Sequence, residues 1–349
     1  MSNMHEFKEI FSHLKYAWQK NEQTVLVILT NVRGSAYRLP GSKMLMTSSG
    51  NMFGTVSGGC LEADLYGWAE KVFETKKPFI HDYDLSDKEI WSLGIGCKGD
   101  LQFLFLPIEP NDLQWRQVNE LVQQEKGFSL VVDMKSGDIA LLEDQEHSCL
   151  ENSVIPKEIL QEAQQSFTNQ TRAKVASFEQ RHYLIDAVKP SERLIIAGAG
   201  QDAIPVAELA HQAGFSVTII DSRSHFNNEK RFPHATHITD EPENIPTKQL
   251  NNSWWVIMNH HQQKDEEILK WAIESFPKYI GVLGPTYRTN EMLGNIGYDI
   301  NSGPIYSPLG LDIGAETMHE VAISIVSELM SVRVGRVASS LHGRTKIHV

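Results

Sequence analysis

The chain has 349 residues, of which 41% are hydrophobic and 22% charged, so it is long enough for two domains with separate cores. A formal net charge of -12 without clustered Lys or Arg disfavours a protein that binds nucleic acid. No stretch approaches the ~20 apolar residues of a membrane helix, the start of the chain lacks a secretory signal, and three cysteines are too few for a disulfide framework. We therefore expect a cytoplasmic protein with reduced thiols and without nucleic-acid or membrane partners.

The first half of the chain mixes predicted helices and strands. Residues 1–20 form an amphipathic pattern that predicts a helix, and residues 60–75 carry apolar side chains at helical spacing. Short apolar runs bounded by Gly, Ser or Pro predict buried strands. These runs are residues 24–32, 43–47 and 101–108. The pattern indicates a mixed α+β domain over residues 1–189.

Two hairpins are predicted further along this domain. The first covers residues 129–144 and turns at residues 136–138, and the second covers residues 171–188. Residues 145–170, between them, are rich in Glu, Gln and Asn and predict a surface helix near residues 155–165.

The pattern changes at Pro190, beyond which strands and helices alternate. This alternation predicts a parallel sheet with helices on both faces, that is, a Rossmann-like doubly wound α/β domain over residues 190–349. The predicted strands are residues 193–200, 215–221, 253–259 and 278–284, and the predicted helices are residues 201–214, 264–276 and 318–332. In the last helix we expect a largely buried set of apolar side chains, namely Val321, Ile323, Ile325, Leu329 and Met330.

A glycine-rich turn follows the first of these strands. Gly198 and Gly200 open the next helix, and Asp221 ends the next strand about 20 residues on, as the dinucleotide fingerprint requires. The glycines also serve simply to close the turn. Asp202, in the first helical turn, could cap that helix and repel a pyrophosphate, whereas Arg223 could bind a phosphate or pair with Asp221. NAD(P) or another nucleotide therefore stays an open alternative at this crevice.

Three later segments are predicted at the carboxyl ends of strands, where open α/β sheets bind ligands. They are residues 259–265, 284–288 and 307–317. His260 and His261 are adjacent, so they point in different directions and cannot chelate one metal together. We expect one to face the crevice, with a hydrogen bond to a loop as the equal alternative.

The segment 307–317 contains Gly310 and Asp312 and ends at a predicted capping box, Thr317 with Glu320. Its glycine-rich loop could bind an anion at the helix N-terminus, or could be only a tight turn.

Two cysteines of the first half lie among glycines. Cys60 follows Gly58 and Gly59 at a predicted helix start, where the helix dipole favours a thiolate, and Cys97 precedes Lys98 in a similar context. A small buried hydrophobic side chain is the alternative for either thiol. The loop 34–43 adds Arg38 on a flexible backbone. A Cys–His dyad with His81 lacks a third orienting group.

Seven segments in chain order resemble the motifs of the XdhC/CoxI family, the accessory proteins of molybdenum hydroxylases. They are GSAYRLPGSKML, GTVSGGCLEADL, GIGCKGDLQFLFLP, GAGQDAIPVAELAHQAGFSVTIIDSR, RFPHATHI, GVLGPTYR and SPLGLDIGAETMHEVAISIVSEL. The sequence departs from many members at Gln201 and Asp202, where those have His, and at Asn259, where those have Thr.

The resemblance implies a protein that binds molybdenum cofactor (molybdopterin) while the metal receives its sulfido ligand from a cysteine desulfurase. Such a protein then delivers the cofactor to xanthine dehydrogenase, is often labelled a subunit of that enzyme, and often forms a homodimer. Cys60 and Cys97 are then the candidates for a catalytic role and for molybdenum ligands. The cofactor-binding candidates are Gly34, Ser35, Arg38, Gly58, Gly59, Cys60, Glu62, Cys97, Lys98, Gly198, Gly200, Asp221, Arg223, His260, Gly310 and Asp312.

Two other functions remain compatible with the residues. One is a stand-alone NAD(P)-dependent oxidoreductase that uses the crevice around Gly198, Asp221 and His260. The other is a redox-sensing interaction protein in which the Cys60 thiol oxidises reversibly without a bound cofactor.

Overall fold

The computed structural model describes residues 2–34, 36–84, 99–143, 154–240 and 250–344. By its contacts the chain divides into two compact units, Met1–Pro190 and Ser191–Val349. Each unit has hydrophobic cores of its own.

The first unit is built from helices and mainly antiparallel strands. Its helices are α1 (Met4–Gln19), α2 (Glu62–Thr75), α3 (Leu113–Gln123) and α4 (Lys157–Thr168). Its strands are β1 (Ser2–Asn3), β2 (Thr24–Gly34), β3 (Lys43–Thr47), β4 (Met52–Gly54), β5 (Phe79–Asp84), β6 (Gly99–Ile108), β7 (Phe128–Asp133), β8 (Ile139–Glu143), β9 (Lys174–Phe178) and β10 (Arg181–Lys189). One sheet has the order β4-β3-β2-β6-β5; the other has the order β1-β10-β7-β8, with β9 also paired to β10.

Helix α1 shares one hydrophobic core with strands of both sheets. Phe7, Ile10 and Leu14 lie on one apolar face, at the spacing of an amphipathic helix, and each is at most 2% exposed. The same core contains Leu26 of the first sheet and Leu184 of the second. Helix α1 therefore packs against strands that come early and late in the sequence of the first unit.

The predicted strands, hairpins and helices of this unit are present. The first predicted hairpin is β7 with β8, and the second is β9 with β10, both antiparallel. The surface helix is α4. Helix α2 begins at Glu62, so Cys60 lies in the turn before it. Helix α3 and strands β1, β4 and β5 were not predicted, because β1 and β4 have only two and three residues and the patterns of α3 and β5 are partly polar.

The second unit contains the parallel sheet that the sequence predicts. Its strands are β11 (Glu192–Ala197), β12 (Phe215–Ile220), β13 (Ala235–Ile238), β14 (Trp254–Ile257), β15 (Tyr279–Val282) and β16 (Ile305–Tyr306). Its helices are α5 (Ala203–Gln212), α6 (Gln262–Glu274), α7 (Thr286–Asn295) and α8 (Met318–Arg333). The strand order β13-β12-β11-β14-β15-β16 is the doubly wound order of a Rossmann-like fold, which confirms that prediction. The order reverses between β11 and β14, and this switch point places the crevice.

The segment 284–288 follows the carboxyl end of β15 and contains the start of α7 at Thr286. Two other parts of the second unit differ from the expectation. Strands β13 and β16 were not predicted, because β16 has only two residues and two of the four residues of β13, Thr236 and His237, are polar. In α8, Ile323 and Met330 are 49% and 45% exposed, so the expected burial of these two side chains is wrong. Ile325 and Leu329 of the same set are buried, as predicted.

Within the described part of the chain, no helix combines the length and the apolar character needed to cross a lipid bilayer.

Candidate functional site

The turn before α2 is organised around the carboxylate of Glu62, which is 7% exposed. The amides of Val56, Ser57 and Leu61 donate to this carboxylate at 3.3, 3.1 and 3.2 Å, and the Thr55 hydroxyl donates at 2.7 Å. The hydroxyl of Ser57 donates to it as well. These bonds close the loop from residue 55 to residue 61 on the helix that follows it.

The pKa of Glu62 reflects this set of donors. Burial raises the pKa, but the hydrogen bonds from Ser57 and Thr55 outweigh burial and lower it from 4.5 to about 2. Glu62 is therefore a carboxylate at neutral pH, and it uses loop amides that could otherwise bind an external anion. The Glu62 carboxylate therefore fixes the conformation of the loop from residue 55 to residue 61.

Cys60 lies at the tip of this loop as an exposed free thiol. Gly58 and Gly59 precede it with φ of 82° and 100°, a region that favours glycine. A Cβ on Gly58 would lie 2.8 Å from the ring of Tyr37, whereas a Cβ on Gly59 would meet nothing within 4 Å. The loop thus packs against Tyr37 at Gly58, whereas at Gly59, next to Cys60, it leaves open space.

The loop 34–43 brings Tyr37 to the Cys60 turn, and Arg38 follows it. Arg38 Nη2 donates to Glu6 Oε1 of α1 at 2.5 Å, while its Nε is buried without a partner. Burial raises the pKa of Glu6, and the nearby Lys43 and Arg38 charges oppose that rise. Gly34 ends β2, opposite Gly99 of β6. Arg38 therefore already has one carboxylate partner in the protein.

The candidate residues Ser35, Cys97 and Lys98 lie outside the described residues, as does Cys149, the third cysteine of the chain. Their roles, including the pairing of Cys97 with Cys60 at a metal, stay predictions. The described ranges contain no group of three or more His, Cys, Asp or Glu side chains that could hold a metal ion.

In the second unit, the glycine-rich turn lies against the end of β14. Gly198 has φ of 113°, and a Cβ there would lie 2.6 Å from the Met258 carbonyl oxygen. Only glycine allows the two strand ends to approach this closely. A Cβ on Gly200 would meet the Asp202 carboxylate at 2.4 Å, so this turn is crowded by its own chain.

Asp221, the acid of the dinucleotide fingerprint, is fully occupied by groups of the protein. Arg223 donates to it through Nε at 2.9 Å and Nη2 at 2.6 Å, and the amides of Ala199 and Arg223 donate at 2.9 and 3.0 Å. Burial raises the pKa of Asp221, but the Arg223 and amide hydrogen bonds lower it to about 2. The free carboxylate that would bind the ribose hydroxyls of NAD is thus missing, and this arrangement does not fit that nucleotide.

Asp202 and His260 meet across the switch point. His260 Nε2 donates to Asp202 Oδ2 at 2.7 Å, so one of the two adjacent histidines does face the crevice. Asp202 is at the N-cap position of α5, but its side chain accepts no hydrogen bond from the helix amides. The alternative that Asp202 caps its own helix is therefore wrong. His260 has φ of 57°, an uncommon conformation for a residue other than glycine.

The loop before α8 is held mainly by its own backbone and by the helix. The Thr317 hydroxyl accepts from the Glu320 amide, and the Glu320 carboxylate accepts from the Thr317 amide, which confirms the predicted capping box. At Gly310 a Cβ would lie 2.5 Å from the Ser324 hydroxyl oxygen. Asp312 is exposed on this loop, and among the described residues it forms no hydrogen bond with the other candidate residues of the crevice.

Sequence reasoning missed a buried acid that ties the later crevice loops together. Asp265 in α6 is 1% exposed and accepts from Arg288 Nη2 at 2.5 Å and from the amide of Asn259 at 3.2 Å. Both Asp265 and Arg288 stand in segments that the sequence singles out, but their pairing spans 23 residues and depends on α7. The candidate residues thus form two groups, one around Cys60 in the first unit and one around Asp221 and His260 in the second.

Comparison with known proteins matches both units. Residues 17–84 match the family model of the XdhC and CoxI family, and residues 194–329 match that of the XdhC Rossmann domain. A protein of Bacillus subtilis (strain 168) named as a probable subunit of xanthine dehydrogenase is 30% identical over 322 residues, covering 90% of this chain and 94% of that protein.

Two further relatives extend over nearly the whole chain. The molybdenum cofactor insertion chaperone PaoD of Escherichia coli (strain K12) is 23% identical over 324 residues, covering 91% of this chain and 86% of PaoD. The crystal structure of a xanthine dehydrogenase from Bacillus halodurans superposes with a TM-score of 0.75 at 30% identity, covering 95% of this chain and 98% of that one. With both family models matched in order and a relative 30% identical along nine tenths of its length, the chain belongs to the XdhC and CoxI family.

Proposed function

We propose that this protein binds molybdenum cofactor, supports its sulfuration and inserts it into xanthine dehydrogenase. Membership of the XdhC and CoxI family supports the proposal, as do the similarities to a protein named as part of xanthine dehydrogenase and to a chaperone named for inserting this cofactor. The observation that carries it is the exposed thiol of Cys60 on a turn that the buried Glu62 carboxylate holds in place.

The donor set around Cys60 suits this cofactor. A thiolate is a soft ligand for molybdenum and sulfur, and the Cys60 thiol is reachable from solvent. Gly59 leaves open space beside it, so a bulky group can approach. When bound, the cofactor would supply a molybdenum centre that can carry a terminal sulfido ligand. In this proposal the Cys60 thiol would hold that centre, Glu62 keeps the loop closed, and the cation of Arg38 lies on the neighbouring loop.

The proposal includes the partners and the place of action. A cysteine desulfurase supplies the sulfur, and an exposed thiol is accessible to such a protein. We also propose a homodimer, supported by the edge strand β4, whose Met52 is 41% exposed. The cytoplasm is the proposed compartment because a reactive free thiol persists there.

The test compares three full-length proteins: wild type, Cys60→Ser and Cys149→Ser. Each is mixed with released molybdenum cofactor and passed over a desalting column, and its activation of xanthine dehydrogenase is then measured. Wild type and the Cys149 variant should retain the cofactor, whereas Cys60→Ser should fold normally yet lose most retention and activation, because a serine hydroxyl is a hard, protonated group. Equal retention by Cys60→Ser, or none by wild type, overturns the proposal.

No specific observation favours a stand-alone NAD(P)-dependent oxidoreductase. Its fingerprint acid, Asp221, is bound on both oxygens by Arg223 and the glycine turn. Flat calorimetric titrations with NAD would agree with that arrangement.

A further inference from the structure

Two of the acids near the glycine-rich turn of the second unit are engaged by basic side chains. Asp221 is paired with Arg223, and Asp202 is hydrogen-bonded to His260. Both carboxylates near the glycine-rich turn are thus engaged by basic side chains of the protein. The repulsion that these acids would exert on an anion is correspondingly reduced.

Another cation at this turn is Arg231. Its Nη2 donates to the carbonyl oxygens of Ala199 and Gly200 at 3.2 and 3.3 Å, which are backbone groups without net charge. Its Nε is buried without a hydrogen-bond partner. Among the residues that the structure describes, Arg231 forms no ion pair. A half-buried guanidinium that lacks a counter-charge is costly, and an anionic ligand would offset that cost.

The ring of Phe226 contacts both this cation and Arg223. The guanidinium carbon of Arg223 lies 4.7 Å from the centre of the Phe226 ring, and that of Arg231 lies 5.3 Å from it. The ring holds both planar groups by cation–π contact, which limits their freedom before any ligand arrives. Arg223 gives Nε and Nη2 to Asp221 and is 44% exposed, so its remaining N–H groups face water.

We propose that Arg231 and Arg223, held against Phe226 beside the glycine-rich turn, form a binding site for a phosphomonoester group. A guanidinium pair matches the oxygens of a phosphate with several N–H donors, and a dianion balances the unpaired charge of Arg231. The site lies at the carboxyl end of β12, next to the turn between β11 and α5, on the ligand-binding edge of the sheet.

The same geometry sets what the site rejects. An unphosphorylated ribose would need the Asp221 carboxylate, which Arg223 already occupies on both oxygens. The phosphate of a phosphorylated ligand would instead meet the Arg223 cation beside Asp221. The site therefore prefers the phosphorylated member of a matched ligand pair.

A phosphomonoester can come from a nucleotide or from a phosphorylated pterin, and two matched pairs separate these sources. Full-length wild type is titrated by calorimetry at low salt with NADP and NAD, and with 6-hydroxymethylpterin phosphate and 6-hydroxymethylpterin. In at least one pair, the phosphorylated member should bind about tenfold tighter or more, which corresponds to a charge-assisted hydrogen bond. That pair identifies the source.

Three variants test the assigned residues, with unfolding curves to show that each folds. Arg231→Gln should remove the preference for the phosphorylated ligand, whereas Arg344→Gln, at an exposed arginine of the same unit, should leave it unchanged. Arg223→Gln frees Asp221, so it should weaken phosphate binding and strengthen NAD relative to NADP. If these arginines only supported the local structure, Arg223→Gln would not raise the affinity for NAD relative to that for NADP.

The proposal does not depend on the cofactor function assigned to Cys60, and Cys60→Ser should bind the phosphorylated ligand as wild type does. If wild type shows no phosphate preference in either pair, or if folded Arg231→Gln and Arg223→Gln both retain it, the site is wrong. In that case the Cys60 proposal would still stand on its own test.

Discussion

Lys43 Nζ lies 2.5 Å from Asp186 Oδ2, and neither side chain is exposed to solvent. The pair joins β3 of one sheet of the first unit to β10 of the other, across 143 residues of chain. Lys43 also donates to the Gly41 carbonyl at 2.7 Å and stands 4.4 Å from the centre of the Phe7 ring. Each of the two charges is thus compensated inside the core.

The first prediction concerns this buried pair. Lys43→Met should destabilise the protein by about 3–5 kcal/mol, because Asp186 is left buried without its counter-charge. The double variant Lys43→Met with Asp186→Leu should recover most of that loss, since both charges are then gone. Urea unfolding at neutral pH measures the three free energies of unfolding. A double variant no more stable than Lys43→Met would contradict this account.

The second prediction concerns pH and Glu62. Its folded pKa of about 2 lies below the ordinary 4.5, so its stabilising effect is complete above pH 4.5 and is lost as pH falls from 4.5 toward 2. Because water reaches part of the loop, we expect a contribution of no more than about 2 kcal/mol. Glu62→Gln should be less stable than wild type at about pH 6, and this difference should shrink below pH 4.5 and become small only at about pH 2. A constant difference between the two proteins across this range would contradict the assignment.

The third prediction compares two glycines that both have positive φ. Gly198→Ala should cost about 3 kcal/mol or more, because its Cβ would lie 2.6 Å from the Met258 carbonyl oxygen. Gly59→Ala should cost only about 1 kcal/mol, since its Cβ would meet nothing within 4 Å. Thermal unfolding ranks the two variants. Equal losses would show that backbone conformation alone, without the contact, sets the cost at Gly198.

The fourth prediction concerns the start of α8. Thr317→Ala removes the hydroxyl of the capping box and should destabilise the protein by about 1 kcal/mol. Thr168→Ala, at an exposed threonine in the last turn of α4, serves as the control and should be neutral or slightly stabilising. Chemical unfolding of both variants tests this, and a silent Thr317→Ala would mean that the capping box adds nothing.

The sequence predicted best what depends on neighbours along the chain. The capping box at Thr317, the hairpin turn before β8 and the glycine-rich turn at Gly198 follow from residues a few positions apart. The pairing of Lys43 with Asp186 and of Asp202 with His260 spans 143 and 58 residues. Such contacts depend on sheet order and strand register, which a periodic pattern does not specify.

The candidate site residues show the same difference between what nearby residues predict and what depends on the fold. Asp221 was identified from its spacing to the glycines, but its capture by Arg223 needed side-chain geometry. Glu62 was identified as a ligand candidate, whereas the loop folds around it, because five donors within seven residues can reach one carboxylate. Strand β16 has only two residues, and half of the residues of β13 are polar, so neither strand shows an apolar pattern that would indicate it.

The place of α1 between strands of both sheets also constrains the order in which the chain can fold during synthesis. Its apolar face includes Phe7, Ile10 and Leu14, yet β10, which completes that core, begins only at Arg181. At ordinary translation rates the ribosome needs roughly 10–30 s to make the intervening chain. The strands β2 and β3 of this core follow α1 at once, but its partner strand β10 in the second sheet is missing until the first unit is almost fully made. Completion of this core at the ribosome is accordingly a late event, close to the moment when the second unit starts to emerge.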